Sequence, residues 1–251
     1  DFITNCEVKK KMIKLAHTVD DFFESFDEAN GINIKNKRTF AARVEDNIIT
    51  AKIVAFNKQT LIELTNAIKD NKNAEALILD LRGCAGGMSS EAILVADLFL
   101  DNGIISSVSG KNKNEAIYYN ADENVIWKNK PVFILVDENT ASAAEILTAA
   151  LKEQGIAKVI GTTTKGKGTM QKLIGLETGS VLAITNSMFY TPANNEINDK
   201  GISPDICTFE EKENTDINEI LARKYGYCYK ESRENSEIER KIVLNLLKKD
   251  D

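Results

Sequence analysis

Ala76-Leu-Ile-Leu-Asp-Leu-Arg-Gly-Cys-Ala-Gly-Gly87 decides how the chain is read. Its first six residues are apolar except Asp80, an unbroken run of the kind strands adopt when both faces of a parallel sheet are covered. The run ends in a glycine-rich turn, and a helix is expected from about Ser89 to Leu100. Pro131-Val-Phe-Ile-Leu-Val136 repeats the arrangement. Here a short turn over Asp137 to Thr140 leads into a helix from about Ser142 to Gln154. Working outward, Phe40 to Val44 and Ile48 to Phe56 flank Asp46-Asn47, a hairpin turn signal. Thr60 to Asn71 reads as a helix, and Ile104 to Val108 and Ala157 to Gly161 read as strands. Thr169 to Leu176 and Ser180 to Tyr190 form a strand pair turning at Thr178-Gly179. Strand and helix alternate, so the fold class is α/β.

Helical segments are expected at both ends. Val8, Met12, Leu15, Val19, Phe22 and Phe26 make one apolar stripe, closed by Asn30-Gly31. Near the other end, Asp216 with Glu219 resembles a capping box, and Ile238 to Leu247 is amphipathic. The expected division is a helix and linker over 1–38, a core over 39–208 and a helical tail over 209–251. No repeat is visible.

The chain has 251 residues, enough for one large domain or two small ones. Its 38 acidic and 32 basic residues leave a net charge of −6, which argues against nucleic acid as the main partner, because phosphate contacts need a basic face. No run approaches the ~20 apolar residues of a membrane-spanning helix. The start at Asp1-Phe2, without an initiating Met or a signal peptide, is what a trimmed chain would show. Cys6, Cys84, Cys207 and Cys228 have neither zinc spacing nor the density of a disulfide framework. Free thiols are the favoured reading, with Cys207–Cys228 the less favoured pairing. His17 is the one histidine, and beside its apolar stripe it reads as a helix residue rather than a catalytic one.

Three loops could carry chemistry. Arg82 to Gly87 offers backbone N–H groups at a helix start, where negative charge is stabilised. Gly161-Thr-Thr-Thr-Lys-Gly-Lys-Gly168 nearly spells a phosphate-binding loop. It fails where Gly168 replaces the magnesium-holding hydroxyl and a strand pattern follows in place of a helix. Thr140-Ala-Ser-Ala-Ala-Glu145 puts a serine between small residues at a helix start, with N–H donors for an oxyanion. Taken alone, Ser142 is an ordinary N-cap. As a nucleophile it needs a base. Lys167, between two glycines, is the candidate, provided burial keeps its amine neutral. Cys84 lacks a nearby base and reads as a small loop residue.

In combination these stretches resemble the carboxyl-terminal processing peptidases, the tail-specific Ser-Lys proteases of family S41. The matching pieces are Leu77 to Gly87, Val136 to Ile146, Gly166 to Gln171, Tyr190-Thr-Pro, and Lys200-Gly-Ile-Ser-Pro-Asp205, in the family's order. The resemblance implies a core of stacked sheets and helices related to ClpP and crotonase, with helical extensions at both ends. It assigns Ser142 as nucleophile, Lys167 as general base and Gln171 as the residue that orients the lysine. It gives the oxyanion hole to the N–H groups of Gly86 and Ala143, with Gly87 as the neighbouring alternative. Protein or peptide is the substrate, and neither metal nor cofactor is required.

The chain departs from the pattern in three places. Cys84-Ala85 replaces Asn-Pro in the glycine loop, and Thr140 replaces a serine two residues before Ser142. The residues before Thr39 are too few for the family's PDZ domain of ~80–90 residues. The expectations that follow are a delivery partner replacing that domain, a homodimer through the terminal helices, and a leaning toward an extracytoplasmic site. The alternative reading is a non-catalytic binding module on the same fold. A Ser-Lys site further predicts that kcat/KM rises with pH through one step well below ~10, with no step from His17.

Overall fold

Asp46 and Asn47 both have positive φ, 53° and 58°, the backbone that lets a two-residue turn match the twist of its flanking strands. That turn joins strands β1 (Phe40–Glu45) and β2 (Ile48–Ile53), which pair antiparallel from Glu45↔Ile48 to Phe40↔Ile53. The computed structural model describes residues 38–112, 115–123, 125–176, 180–209, 215–223, 228 and 236–248. The chain divides into two compact units, Thr39–Gly168 with Met188–Asp251, and Asp1–Arg38 with Thr169–Ser187.

In the first unit, β2 continues parallel into β3 (Ala76–Asp80), β6 (Val132–Val136), β7 (Ala157–Gly161) and the short β10 (Ile206–Cys207). Every residue of β3 and of β6 is buried, as their unbroken apolar runs require. Period-two alternation sends Leu77, Leu79, Ile134 and Val136 to one face. There they meet buried residues of α1 (Thr60–Asp70), α2 (Ser89–Asp97) and α3 (Ala143–Glu153), such as Leu64, Val95 and Leu147. Ile78, Phe133 and Leu135 point to the other face and pack on Ile220 of α4 (Ile217–Ala222) and on Ile238, Ile242 and Val243 of α5 (Ser236–Leu247).

A second sheet carries β5 (Ile117–Asn120), β4 (Ile104–Ser109), β9 (Val181–Tyr190) and β8 (Thr169–Gly175), in that order. β9 reaches β4 through Met188–Tyr190. In the second unit, β8 and β9 are neighbours in the sheet, and the Leu176 N–H donates to the Ser180 carbonyl at 2.8 Å. Residues 177–179 and the expected helix over 8–29, with His17, lie outside the described residues.

Three expectations are corrected. Cys207 and Cys228 form a disulfide, with a Cα–Cα distance of 5.8 Å. Topology brings them together. β10 adds to β7 with Cys207 opposite Gly161, and the Cys228 sulfur lies 3.6 Å from the Gly161 carbonyl. Asp216 caps α4 by accepting the Asn218 N–H, two residues on, so the expected box with Glu219 is not formed. Ile242 and Val243 are covered by the chain's own sheet and are not free to meet a second copy. The near-phosphate loop runs on into β8, so it lacks the helix N-terminus that such a loop needs.

Candidate active site

β6 delivers the chain to Asp137, whose carboxylate accepts the N–H of Asn139 and of Thr140 at 3.0 and 2.9 Å. The same carboxylate accepts the Gly83 N–H from the end of the neighbouring strand, at 2.9 Å. Thr140 Oγ1 reaches the Leu81 carbonyl at 2.9 Å. The two strand ends and their turns are thereby tied side by side. Two residues on, Ser142 adopts φ 56°, ψ −118°. A non-glycine residue there costs on the order of 1–3 kcal/mol and persists only where its surroundings hold it. Ser142 is half-buried between buried Ala141 and Ala143, at the head of α3.

The holding group is Glu145. Its side chain is fully buried and takes four donors. Ser142 N–H lies at 2.8 Å and Lys167 N–H at 2.8 Å from Oε2. Thr164 Oγ1 and Gly166 N–H each lie at 2.6 Å from Oε1. One carboxyl group thus fixes the backbone of Ser142 and the backbone of Lys167 together. Sequence reasoning gave Glu145 no role, although Ser-Ala-Ala-Glu carries the S-x-x-E spacing by which a third-position glutamate reaches back to its N-cap.

Gly86 presses against the same point. A Cβ built on it would stand 2.8 Å from Ser142 Cβ, 2.8 Å from the Ala141 carbonyl and 3.1 Å from the Ala143 nitrogen, and its φ is 107°. Only glycine permits that approach. Gly87 is packed instead on Phe56, where a Cβ would lie 2.3 Å from the carbonyl oxygen. The loop is anchored by Phe56 N–H on Gly86 O at 2.8 Å, Met88 N–H on Phe56 O at 2.9 Å and Ala141 N–H on Cys84 O at 2.9 Å. The N–H groups of Gly86, Gly87 and Ala143 have no acceptor among the described residues. The last of these opens α3, where the helix dipole favours negative charge.

Lys167 departs from expectation. The reading required a buried amine, but the residue is exposed. The cause is local. Gly166 and Gly168 fold closely onto 198–201, with built Cβ positions 2.8 Å from the Gly201 nitrogen and 2.5 Å from the Asn198 nitrogen. They contribute no side chains to cover the lysine between them. The loop is otherwise well held, with Lys165 N–H on the Thr140 carbonyl at 3.0 Å and Ile202 N–H on Thr164 Oγ1 at 2.7 Å. Gln171 belongs to the other unit, exposed on β8. Cys84 is buried, and burial pushes its thiol up to about 11, as suits a loop residue rather than a nucleophile.

Behind the glycine loop lies a charged cluster. Asp80 accepts Arg82 Nη2 at 2.6 Å, Arg82 Nε at 2.9 Å, Arg82 N–H at 3.1 Å and Lys52 Nζ at 3.0 Å. Burial works against its charge, but Arg82 and Lys52 prevail and hold the carboxyl below its usual range.

Residues 47–208 match peptidase family S41. The carboxy-terminal-processing protease of Bartonella bacilliformis is 35% identical over 170 residues, 65% of this chain and 39% of that protein. The carboxy-terminal processing protease of Bacillus subtilis is 39% identical over 165 residues, 64% of this chain and 35% of that one. The chain thus spans about two fifths of the length of these curated relatives. Among solved structures, the photosystem II D1 C-terminal processing protease superposes with a TM-score of 0.63 at 28% identity, covering 73% of this chain and 51% of the other. A lipoprotein from Streptococcus agalactiae, 22% identical, shares the fold with a TM-score of 0.60, over 72% of this chain and 69% of its own.

Proposed function

The chain belongs to peptidase family S41, and from that premise we propose that it is a serine endopeptidase of the carboxyl-terminal processing type, cutting unfolded or C-terminal protein segments through Ser142 and Lys167. The observation that carries the proposal is the buried carboxyl of Glu145, which binds the backbone N–H of both residues.

Ser142 Oγ attacks the scissile carbonyl while the neutral Lys167 amine takes its proton. The amine returns that proton to the leaving nitrogen, and water then hydrolyses the acyl-enzyme by the same route. The N–H groups of Gly86 and Ala143 receive the developing oxyanion. Lys167 is exposed in the free chain, and a peptide laid across the site covers it. The family resemblance gives Gln171 the part of orienting the lysine, and Gln171→Ala should then lower kcat with KM held. The Cys207–Cys228 disulfide supports an extracytoplasmic site, and no described helix is long and apolar enough to cross a membrane.

A fluorophosphonate probe tests the nucleophile directly. It should label the wild-type chain on Ser142 and leave Ser142→Ala unlabelled. Equal labelling of both would remove Ser142 from the role.

A further inference from the structure

We propose that Glu239, on the C-terminal helix α5, is a positioning residue for the glycine loop Gly83–Gly87, acting through Arg82. The proposal rests on the reading that Gly86 N–H serves the oxyanion. It assigns a task to a helix beyond residues 47–208, the part the family accounts for.

The loop has a pivot. Gly83 has φ 69°, and nothing lies within 4 Å of where its Cβ would be. A glycine with that freedom does not fix the direction of the chain, so the direction is set by the groups bound on either side of it. On one side is the Asp137 carboxylate on Gly83 N–H. On the other is Arg82, with its carbonyl accepting Lys52 Nζ, its Nε and Nη2 on Asp80, and its Nη1 on Glu239. Glu239 is 7% exposed and is anchored in turn by Thr208 Oγ1 at 3.2 Å. Its helix is seated by Ile238, Ile242 and Val243 in the core of the far sheet face.

Asp80 alone leaves Arg82 held along one edge. Glu239 adds the second edge and makes the guanidinium a fixed strut between β3 and α5. Truncating Glu239 leaves Nη1 without its partner in a largely buried place, a strongly unfavourable state that a shift of Arg82 relieves. The shift passes to Gly83 and thence to Gly86.

The test uses the full chain with Glu239→Ala and Glu239→Gln. Hydrogen exchange is read by mass on peptides spanning 81–88, with 132–136 of β6 as an internal control, and peptide hydrolysis is followed alongside. Glu239→Ala should speed exchange over 81–88 about 10-fold while β6 stays within about twofold, since local opening is independent of global unfolding. Its kcat should fall about 10-fold with KM held, as expected when an interaction made in the transition state is lost. Glu239→Gln, whose amide oxygen still accepts Nη1, should restore both. Unchanged exchange over 81–88 in Glu239→Ala would overturn the proposal. So would equal loosening of β6, or a Gln variant that behaves like Ala. If exchange responds as expected but the wild-type chain cleaves nothing, the peptidase reading fails and the positioning role stands.

Discussion

Ser142, Gly86 and Glu145 make one arrangement, and each can be broken singly. Gly86→Ala puts a methyl group 2.8 Å from Ser142 Cβ on a backbone with φ 107°, so the loop must retreat from the serine. Loss of one oxyanion donor typically costs about 100-fold or more in kcat. We expect that loss together with a fall in melting temperature, because an alanine at this positive φ is strained, and near-normal kcat in Gly86→Ala would show that this N–H is not used. Glu145→Gln puts an NH2 among four donors and strands at least one of them in a buried site. That should cost about 1–3 kcal/mol in stability, read by urea unfolding, together with most of the activity. A fully active and fully stable variant would deny Glu145 its part. Ser142 and Lys167 stand out as candidates in the sequence because their neighbours are small and their motifs are local. Glu145 was passed over because its four partners come from two loops that only the fold brings together. The exposure of Lys167 was misjudged because flanking glycines say that backbone comes close, not that side chains cover.

Elements were legible in proportion to their burial. β3 and β6 are buried throughout and read as strands from their composition alone. β5 was missed. Ile117 and Tyr118 are 59% and 57% exposed on this four-residue edge strand, which leaves no alternation to detect. The disulfide was undervalued because β10 has two residues, and its pairing with β7 is a parallel, long-range contact. Removing the bridge with Cys228→Ser should cost about 2–4 kcal/mol, measured as a drop in the urea midpoint relative to wild type. No drop would mean that the bridge constrains nothing. The docking of α5 should also depend on pH. Burial raises the Glu239 carboxyl from 4.5 to about 7, against the pull of Arg82 and the Thr208 hydroxyl and with the repulsion of Asp80. The folded state therefore binds this proton more tightly than the unfolded state. The stabilisation is fully present below about 4.5, and up to about 3 kcal/mol of it is lost as pH rises through about 7. Glu239→Gln does not titrate, so wild type should lose stability relative to it between pH 4.5 and 7, with no further change above. The opposite slope would show that Arg82 outweighs burial.

At the scale of the whole molecule, the ordered motifs are what make the family, peptidase S41, legible in the sequence. The terminal helices were harder to read. An amphipathic stripe shows that a helix has something to cover, not what covers it, and for Ile242 and Val243 the answer is the chain's own sheet. The function we propose for this chain is that of a protease built on a Ser-Lys pair held by one buried carboxyl. The most direct measurement is digestion of an unfolded protein by wild type, Ser142→Ala, Lys167→Ala, Lys167→Arg and His17→Ala, with fragments mapped by mass. Wild type and His17→Ala should give the same fragments. The serine and both lysine variants should give none, because alanine has no amine and arginine keeps its proton. Cleavage that survives Lys167→Ala, or that disappears with His17→Ala, would contradict the account.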